Sequence, residues 1–336
     1  MRIGIDAMGC DHAPAEEVKG ALSARPLLAP QDRLVLIGPE DVLRQHLGAA
    51  AGWQDFIEIR HASQAIGMNE APVEALKTKP DSSMAVLTRM HRAGDVDAAV
   101  SAGNTGAFAA AAQMFMRRLK GVLRPGIAVP TPTLHGPLTI CDVGANISCR
   151  PQHLHQYAVM ASLYATAIGG QVRPRVGLLS IGAEDTKGNE LVKKARDLLR
   201  DEPSIHFVGN VEGRDLCEGV CDVVICDGFV GNVVLKLMEG LGQSILRGFI
   251  EDLRTSMPEH LESVQRAAGQ VMARYDSNEH GGAPLLGVAG ICIICHGSSN
   301  HVGIKNGVRV AKEFAQHRVN DLITKILSNH SRTAHE

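Results

Sequence analysis

Aromatic residues are scarce: one Trp, three Tyr and seven Phe make up 3% of 336 positions. That leaves little for base-stacking platforms or sugar-binding surfaces. Net charge is almost absent too. The chain has 34 Lys and Arg against 36 Asp and Glu, a balance of −2, so no global field draws it to nucleic acid. No apolar core follows the start, "MRIGIDAMG", which does not read as a secretory signal. The charge-free stretch from Ala98 to Met116 carries Ser101, Asn104, Thr105 and Gln113, groups that are costly in lipid, so it reads as strand, glycine turn and helix. With no export signal, the eight cysteines are expected to be reduced thiols of a cytoplasmic protein.

Several chemical signatures are missing as well. There is no G-x-x-x-x-G-K-[ST] run, which argues against a P-loop ATPase. "GNTGAF" is not G-x-G-x-x-G, and no ribose-binding acid accompanies it, so a dinucleotide is not favoured. No G-x-S-x-G elbow supports a serine hydrolase. Cys292 and Cys295 form a C-x-x-C, and Cys217, Cys221 and Cys226 a loose cluster, but a closed zinc site needs two tight pairs. "ICIIC" (291–295) reads instead as a buried strand that sends its two thiols to opposite faces. No metal and no cofactor are expected.

What the chain does have is alternation. Hydrophobic residues make up 45%, charged residues 21%, and there are 35 glycines. Short apolar runs at 2–6, 33–38, 56–62, 97–103, 126–130, 138–144, 176–182, 205–210 and 222–228 read as strands. Helical periods fall at 39–50, 82–94, 151–170 and 189–201. Continuous apolar strands separated by helices predict a mostly parallel sheet covered on both faces. No repeat or linker divides the chain, so residues 1–330 are read as one α/β domain. One region stands apart. Apolar stripes at Val234, Leu237, Leu241, Ile245, Phe249 and Leu253, and again at Leu261, Val264, Ala268, Val271 and Tyr275, predict a helical hairpin inserted over about 233–275. It suits core or dimer packing, or a surface for an acyl chain, a carrier or a membrane.

In open α/β sheets, ligands sit at the carboxyl ends of the strands. Here "DAMGCDHAP" (6–14), "SAGNTGAFAA", "CDVGANIS", "LSIGAEDTKGNE" and "CDGFVGNVVLK" each follow a predicted strand. All five are expected on one edge of the sheet. Gly103, Asn104, Thr105 and Gly106 in one turn, and Asp227, Gly228, Gly231 and Asn232 in another, precede helices. Backbone N–H groups there can cradle a small anion such as phosphate. Lys187, in a carboxylate-rich loop, would add charge to a phosphate or an oxyanion. His12 beside Asp11, and His296 in "CHGSSN", are further candidates. The opening turn itself could be a metal site, a Cys/His nucleophile pair or an acid/base loop.

Together, "IDAMG-DHAP", "IGMNEAPVEALKTKPDSSM", "AVSAGNTGA", "RPGIA", "DVGAN", "LSIGAEDTKGNE", "CDGFVGNVVLK" and "HGSSN…IKN" resemble the phosphate acyltransferase family (acyl-acyl-carrier-protein:phosphate transacylases, PlsX type) over roughly residues 1–320. The resemblance implies a Rossmann-like α/β/α sandwich similar to isocitrate and isopropylmalate dehydrogenases. It implies transfer of a long-chain acyl group from acyl carrier protein to inorganic phosphate, with the acyl phosphate passing to a membrane glycerol-3-phosphate acyltransferase. It also implies a homodimer, in the cytoplasm with peripheral membrane contact. Phosphate needs no enzyme nucleophile, which favours the acid/base reading of the opening turn. Lys187, His12, Asn232 and Asp227 are the expected catalytic residues. Asp11, Gly103, Asn104, Thr105, Gly106, Asn146, Gly228, Gly231 and His296 are expected to bind phosphate or substrate. Arg117, Arg118 and Lys120 of "RRLK" would meet the acidic carrier; read alone, they are a solvated helix end. The family commonly has a second Gly where this chain has Cys10, and the hairpin tip, "RTSMPEHLESVQRAAG", is polar. Two rivals remain: an NAD- and metal-dependent dehydrogenase on the same fold, and a non-catalytic phosphate- or carrier-binding module.

Overall fold

The computed structural model describes residues 1–333 except 49 and 257–259. Among the described residues, eleven strands form one sheet: β1 (Arg2–Asp6), β2 (Arg33–Gly38), β3 (Ile57–His61), β4 (Ala98–Ser101), β5 (Gly126–Thr133), β6 (Gly136–Cys141), β7 (Arg175–Leu179), β8 (His206–Val211), β9 (Val223–Ile225), β10 (Ala283–Leu286) and β11 (Cys292–Ile294). Helices α1 (Ala15–Ser23), α2 (Glu40–Leu47), α3 (Pro72–Thr78), α4 (Ser83–Ala93), α5 (Thr105–Ala111), α6 (Pro151–Ala167) and α7 (Glu190–Arg200) separate the earlier strands. Then come α8 (Gly228–Ser256), α9 (Leu261–Tyr275), α10 (Ser277–His280), α11 (His301–Gln316) and α12 (Val319–Thr333).

The strand order is β3-β2-β1-β4-β11-β10-β5-β6-β9-β7-β8. Pairing is parallel within β3-β2-β1-β4-β11 and within β6-β9-β7-β8. Between them, β10 is antiparallel to β11 and to β5, and β5 is antiparallel to β6. Three reversals leave the two parallel blocks running in opposite senses. This corrects the expectation that all five glycine turns share one sheet edge. Those of β1 and β4 belong to one block and those of β6, β7 and β9 to the other.

Side-chain alternation explains the core. On β4, Ala99 joins one apolar cluster while Ala98 and Val100 join another. On β9, Val224 joins the first cluster while Val223 and Ile225 join a third. One face of the sheet is thus continuous across both blocks, and the other is split. Cys292 faces the first cluster and Cys295 the second, as a strand at "ICIIC" requires. β10 was not anticipated: "APLL" carries Pro284 and is hemmed by glycines, a pattern that reads as a loop.

At the far side of the first block, Asp32 is 4% exposed and accepts from Lys312 Nζ at 2.5 Å and from Ala29 N at 3.0 Å. Burial alone would raise its pKa, but the Lys312 ammonium and its other donors bring it down to about 2. A depressed carboxylate adds stability above its unfolded pKa, 3.8, and loses it as pH falls through the folded value. Asp32→Asn is therefore expected to cost about 2 kcal/mol at neutral pH, by the linkage of roughly 1.4 kcal/mol per pKa unit. In urea titrations that gap should close between about pH 4 and pH 2.

Candidate functional site

A cleft of about 320 Å³ opens where the two blocks meet. Its polar lining residues include Thr105 and Gly106 from the first turn of α5, Asn232, Lys236 and Glu239 from α8, and His296 and Ser299 from the loop after β11. Its apolar lining residues include Val129, Pro130 and Pro132 from β5, Val143 from the turn after β6, Leu235 from α8 and Tyr275 from the end of α9. The cleft thus brings cationic, acidic, polar and apolar groups together.

Helix α8 lines the cleft because of its phase. Asn232, Lys236 and Glu239 stand at i, i+4 and i+7, one face of a helix, and line the cleft. Phe229, Val233, Leu237, Leu241, Ile245 and Phe249 recur every four residues along the same helix and are exposed. Lys236 Nζ lies 2.8 Å from Glu239 Oε2 and 2.8 Å from His296 Nε2. An ammonium can only donate, so Nε2 accepts and the imidazole is neutral, with Nδ1 facing Ser298 Oγ at 2.7 Å. Burial, then the Lys236 charge, lowers the His296 pKa. Neither Lys236 nor Ser299 was singled out from the sequence, although Lys236 stands in the quoted motif "CDGFVGNVVLK".

Below the turns lie buried carboxyls. Asp142, fully buried, accepts from the N–H groups of Ile127, Ala145 and Asn146 and from Asn146 Nδ2. Asp6 accepts from Ser101 Oγ at 2.7 Å, and Ser101 Oγ in turn accepts from Gly103 N. The turns after β1 and β4 are tied together in this way. Burial raises the pKa of both acids. Their cue, an Asp closing a strand, is shared by many turns and points to no role in itself.

The expected site residues divide into three groups. Thr105, Gly106, Asn232 and His296 meet in the cleft, and Asp11 adjoins it, its N–H donating to Gly297 O at 2.8 Å. Gly103, Asn104, Asn146, Asp227, Gly228 and Gly231 lie beneath the wall as its frame. Asn104 caps α5 through Ala107 N and gives its amide to the carbonyls of Gly67, Met68 and Glu70. Asn146 spends its amide on Pro125, Asp142 and Tyr157. The Asp227 carboxylate accepts from Phe229 N and Val230 N and closes the first turn of α8. The third group lies elsewhere. Lys187 is exposed in the loop after β7, its stem over Gly182, and His12 is exposed on the opening turn. Arg117, Arg118 and Lys120 stand at the opposite end of β10 from the cleft. There Leu119 N donates to Gly287 O, whereas Gly282 and Ala283 line the cleft.

Cys10 has ordinary backbone geometry; the described non-glycine residues with positive φ are Arg117, Arg173 and Arg318. Standing where the family commonly has glycine therefore puts no left-handed strain on Cys10. Its thiol is buried and donates to Glu17 Oε2 at 3.1 Å, and burial followed by the Glu17 charge pushes its pKa up to about 12. A thiol held that strongly is not a nucleophile at neutral pH. The inserted hairpin also needs restating. The helix that begins at Gly228, at the site, runs without interruption to Ser256, so the first hairpin arm is an extension of a cleft wall. The expected tip, "RTSMPEHLESVQRAAG", falls partly on residues 257–259, outside the described residues.

A family model described as fatty acid synthesis protein matches residues 1–322. A protein of Desulforamulus reducens named phosphate acyltransferase is 46% identical over 331 residues, 98% of each chain. The chain belongs to this phosphate acyltransferase family. A phosphotransacetylase of Streptococcus pyogenes shares the fold, with a TM-score of 0.62 at 16% identity over 94% of each chain. So does a Salmonella typhimurium protein described only provisionally as a 4-hydroxythreonine-4-phosphate dehydrogenase (TM-score 0.50, 15% identity, 93% of this chain and 99% of that one). Among the described residues, no helix is long and apolar enough to cross a membrane.

Proposed function

We propose that this chain transfers a long-chain acyl group from the thioester of acyl carrier protein to inorganic phosphate, at the cleft between the two blocks. Family membership supports acyl transfer to phosphate. The observation that supports the place is that a lysine ammonium, Lys236, lines the same cleft as the start of α5 and the apolar side chains of β5 and α8. The first N–H groups of a helix have no intrahelical partner, so those of Thr105 and Gly106 are available to an anion. A phosphate oxygen forms the bond to the thioester carbon, the carbonyl becomes an oxyanion, and the C–S bond breaks to release the thiolate. Lys236 sits to neutralise the phosphate or the oxyanion, and neutral His296 holds its ammonium in place. Val129, Pro130, Leu235 and Tyr275 would take the acyl chain. We read 1–330 as one unit with the dehydrogenase-like layered fold.

The rest of the implied biology belongs to the same reading. Lys187 and His12 would join the site from their exposed loops when substrate is bound. The exposed apolar stripe on α8 supports pairing with a second copy, because surfaces of this kind are seldom left to water. Peripheral membrane contact, and delivery to a membrane glycerol-3-phosphate acyltransferase, fit an apolar acyl phosphate. Carrier docking at Arg117, Arg118 and Lys120 asks more of the geometry. From Ala283 to Val288 the strand spacing alone gives roughly 15 Å, which the acyl-bearing arm must cross.

The test incubates the protein with palmitoyl-acyl carrier protein and follows free thiol with and without phosphate. Phosphate-dependent release is the expected result. Release that ignores phosphate, or none, overturns the proposal, and absorbance change with a nicotinamide cofactor and a divalent metal would favour the dehydrogenase.

A further inference from the structure

Helix α1 presents two adjacent glutamates to two segments beside the cleft, the 6–14 turn and the start of α11. Glu17 is completely buried within an apolar cluster that includes Val18, Ala21 and Ile304. Its Oε1 accepts from Cys10 N at 2.8 Å and its Oε2 from Cys10 Sγ at 3.1 Å. The next residue but one in the chain of contacts is Asp11, whose N–H donates to Gly297 O at 2.8 Å, one residue from His296. Glu16 reaches the other end of the same loop. Its Oε2 accepts from His301 N at 2.6 Å and lies 3.2 Å from His301 Nδ1, at the first turn of α11.

We propose that Glu16 and Glu17 are positioning residues for the acyl transfer: from one turn of α1 they fix the spacing between the 6–14 turn and the 296–301 loop that carries His296. The inference rests on the cleft being the reacting site. A carboxyl buried among apolar side chains is expensive, and an apolar residue of similar volume would stabilise the fold at least as well. Glu17 nonetheless spends both oxygens on Cys10, the neighbour of the residue that ties the 6–14 turn to Gly297. Neither glutamate faces the cleft, so each acts through the backbone it holds. The thiol of Cys10 gives this chain a second hydrogen bond that a glycine there could not make.

The experiment compares Glu17→Leu, Glu17→Gln and Glu16→Ala with wild type in the thiol-release assay, with kcat and the phosphate KM measured separately and thermal midpoints recorded. A misplacement of about 1 Å costs on the order of 100-fold, so Glu17→Leu should lose about that much in kcat/KM. Glu17→Gln keeps an oxygen for Cys10 N and should restore most of it. Glu16→Ala, partly exposed and tolerant of change, should raise the phosphate KM while its thermal midpoint stays close to wild type. Wild-type kinetics in both Glu17→Leu and Glu16→Ala would overturn the proposal, and so would a folded Glu17→Gln as impaired as Glu17→Leu. If Glu17→Leu does not fold, Glu16→Ala and Glu17→Gln decide alone: unchanged kinetics in Glu16→Ala, or a folded Glu17→Gln without most of the wild-type activity, overturns it. Lys236→Met separates the two readings. If it turns over normally, the cleft assignment fails. If it is impaired while the glutamate variants are not, only this proposal fails.

Discussion

Lys236→Met is expected to lower kcat/KM by about 100- to 1,000-fold, the cost of removing one preorganised donor from a developing oxyanion. The substitution keeps the length and the apolar stem of the side chain, and the lysine is half-exposed, so the fold should survive. A second signature accompanies the rate. In the wild type, burial and then the Lys236 charge lower the His296 pKa. Without the ammonium the imidazole gains protons more easily, so its pKa moves up toward its ordinary value, 6.5. Any limb of the pH–rate profile that requires neutral His296 must therefore shift to higher pH in the variant. Loss of rate with no shift would mean that Lys236 acts on substrate without touching His296. A normal rate would remove Lys236 from the reaction.

The path from sequence to this residue shows what a linear reading can and cannot find. The alternation of apolar runs and helical periods was enough for a mostly parallel sheet with helices on both faces, because burial on both faces leaves a direct compositional trace. Asn232 and His296 were legible as polar residues just past buried strands. Lys236 was not, because its place depends on helical phase. It sits two turns into α8, one i+4 step beyond Asn232, and becomes a site residue only if α8 leans over the turn after β6. The reversal of the second block was invisible for a different reason. Strand direction is set by pairing between β10, β11, β5 and β6, residues far apart in sequence, and β10 hides behind Pro284 and its glycines. Asn104, Asn146 and Asp227 also serve the frame of the turns. Each has the polarity of a ligand-binding group, yet each satisfies backbone donors or acceptors that a tight turn would otherwise leave unpaired. Turns that shape a binding site and turns that merely close a helix recruit the same residue types.

The lean of α8 is itself set by a glycine, which leads to the largest expected effect on stability. A Cβ built on Gly231 would lie 2.0 Å from the carbonyl oxygen of Asp142 and 2.8 Å from Cys226 Sγ. Neither neighbour can yield cheaply. Asp142 N donates to Cys226 O and Cys226 N donates to Cys141 O, so both sit inside the sheet ladder, and the Asp142 carboxyl is pinned by the turn above it. Gly231→Ala must therefore push the helix away. Overpacking of this kind costs about 1–3 kcal/mol, and a rigid backbone acceptor puts it at the upper end. The displaced helix carries Asn232 and Lys236 with it, so the protein that still folds should also lose turnover on the order of 100-fold. Gly240 and Gly248 on the same helix supply the control. A Cβ at either meets nothing within 4 Å, so alanine there should stabilise α8 by about 0.5–1 kcal/mol. Thermal midpoints that fall for Gly231→Ala and hold or rise for Gly240→Ala would place the sensitivity at the contact with Asp142. A fall of similar size at both would make it a general property of glycine in the helix and remove Gly231 as the residue that seats α8 on the site.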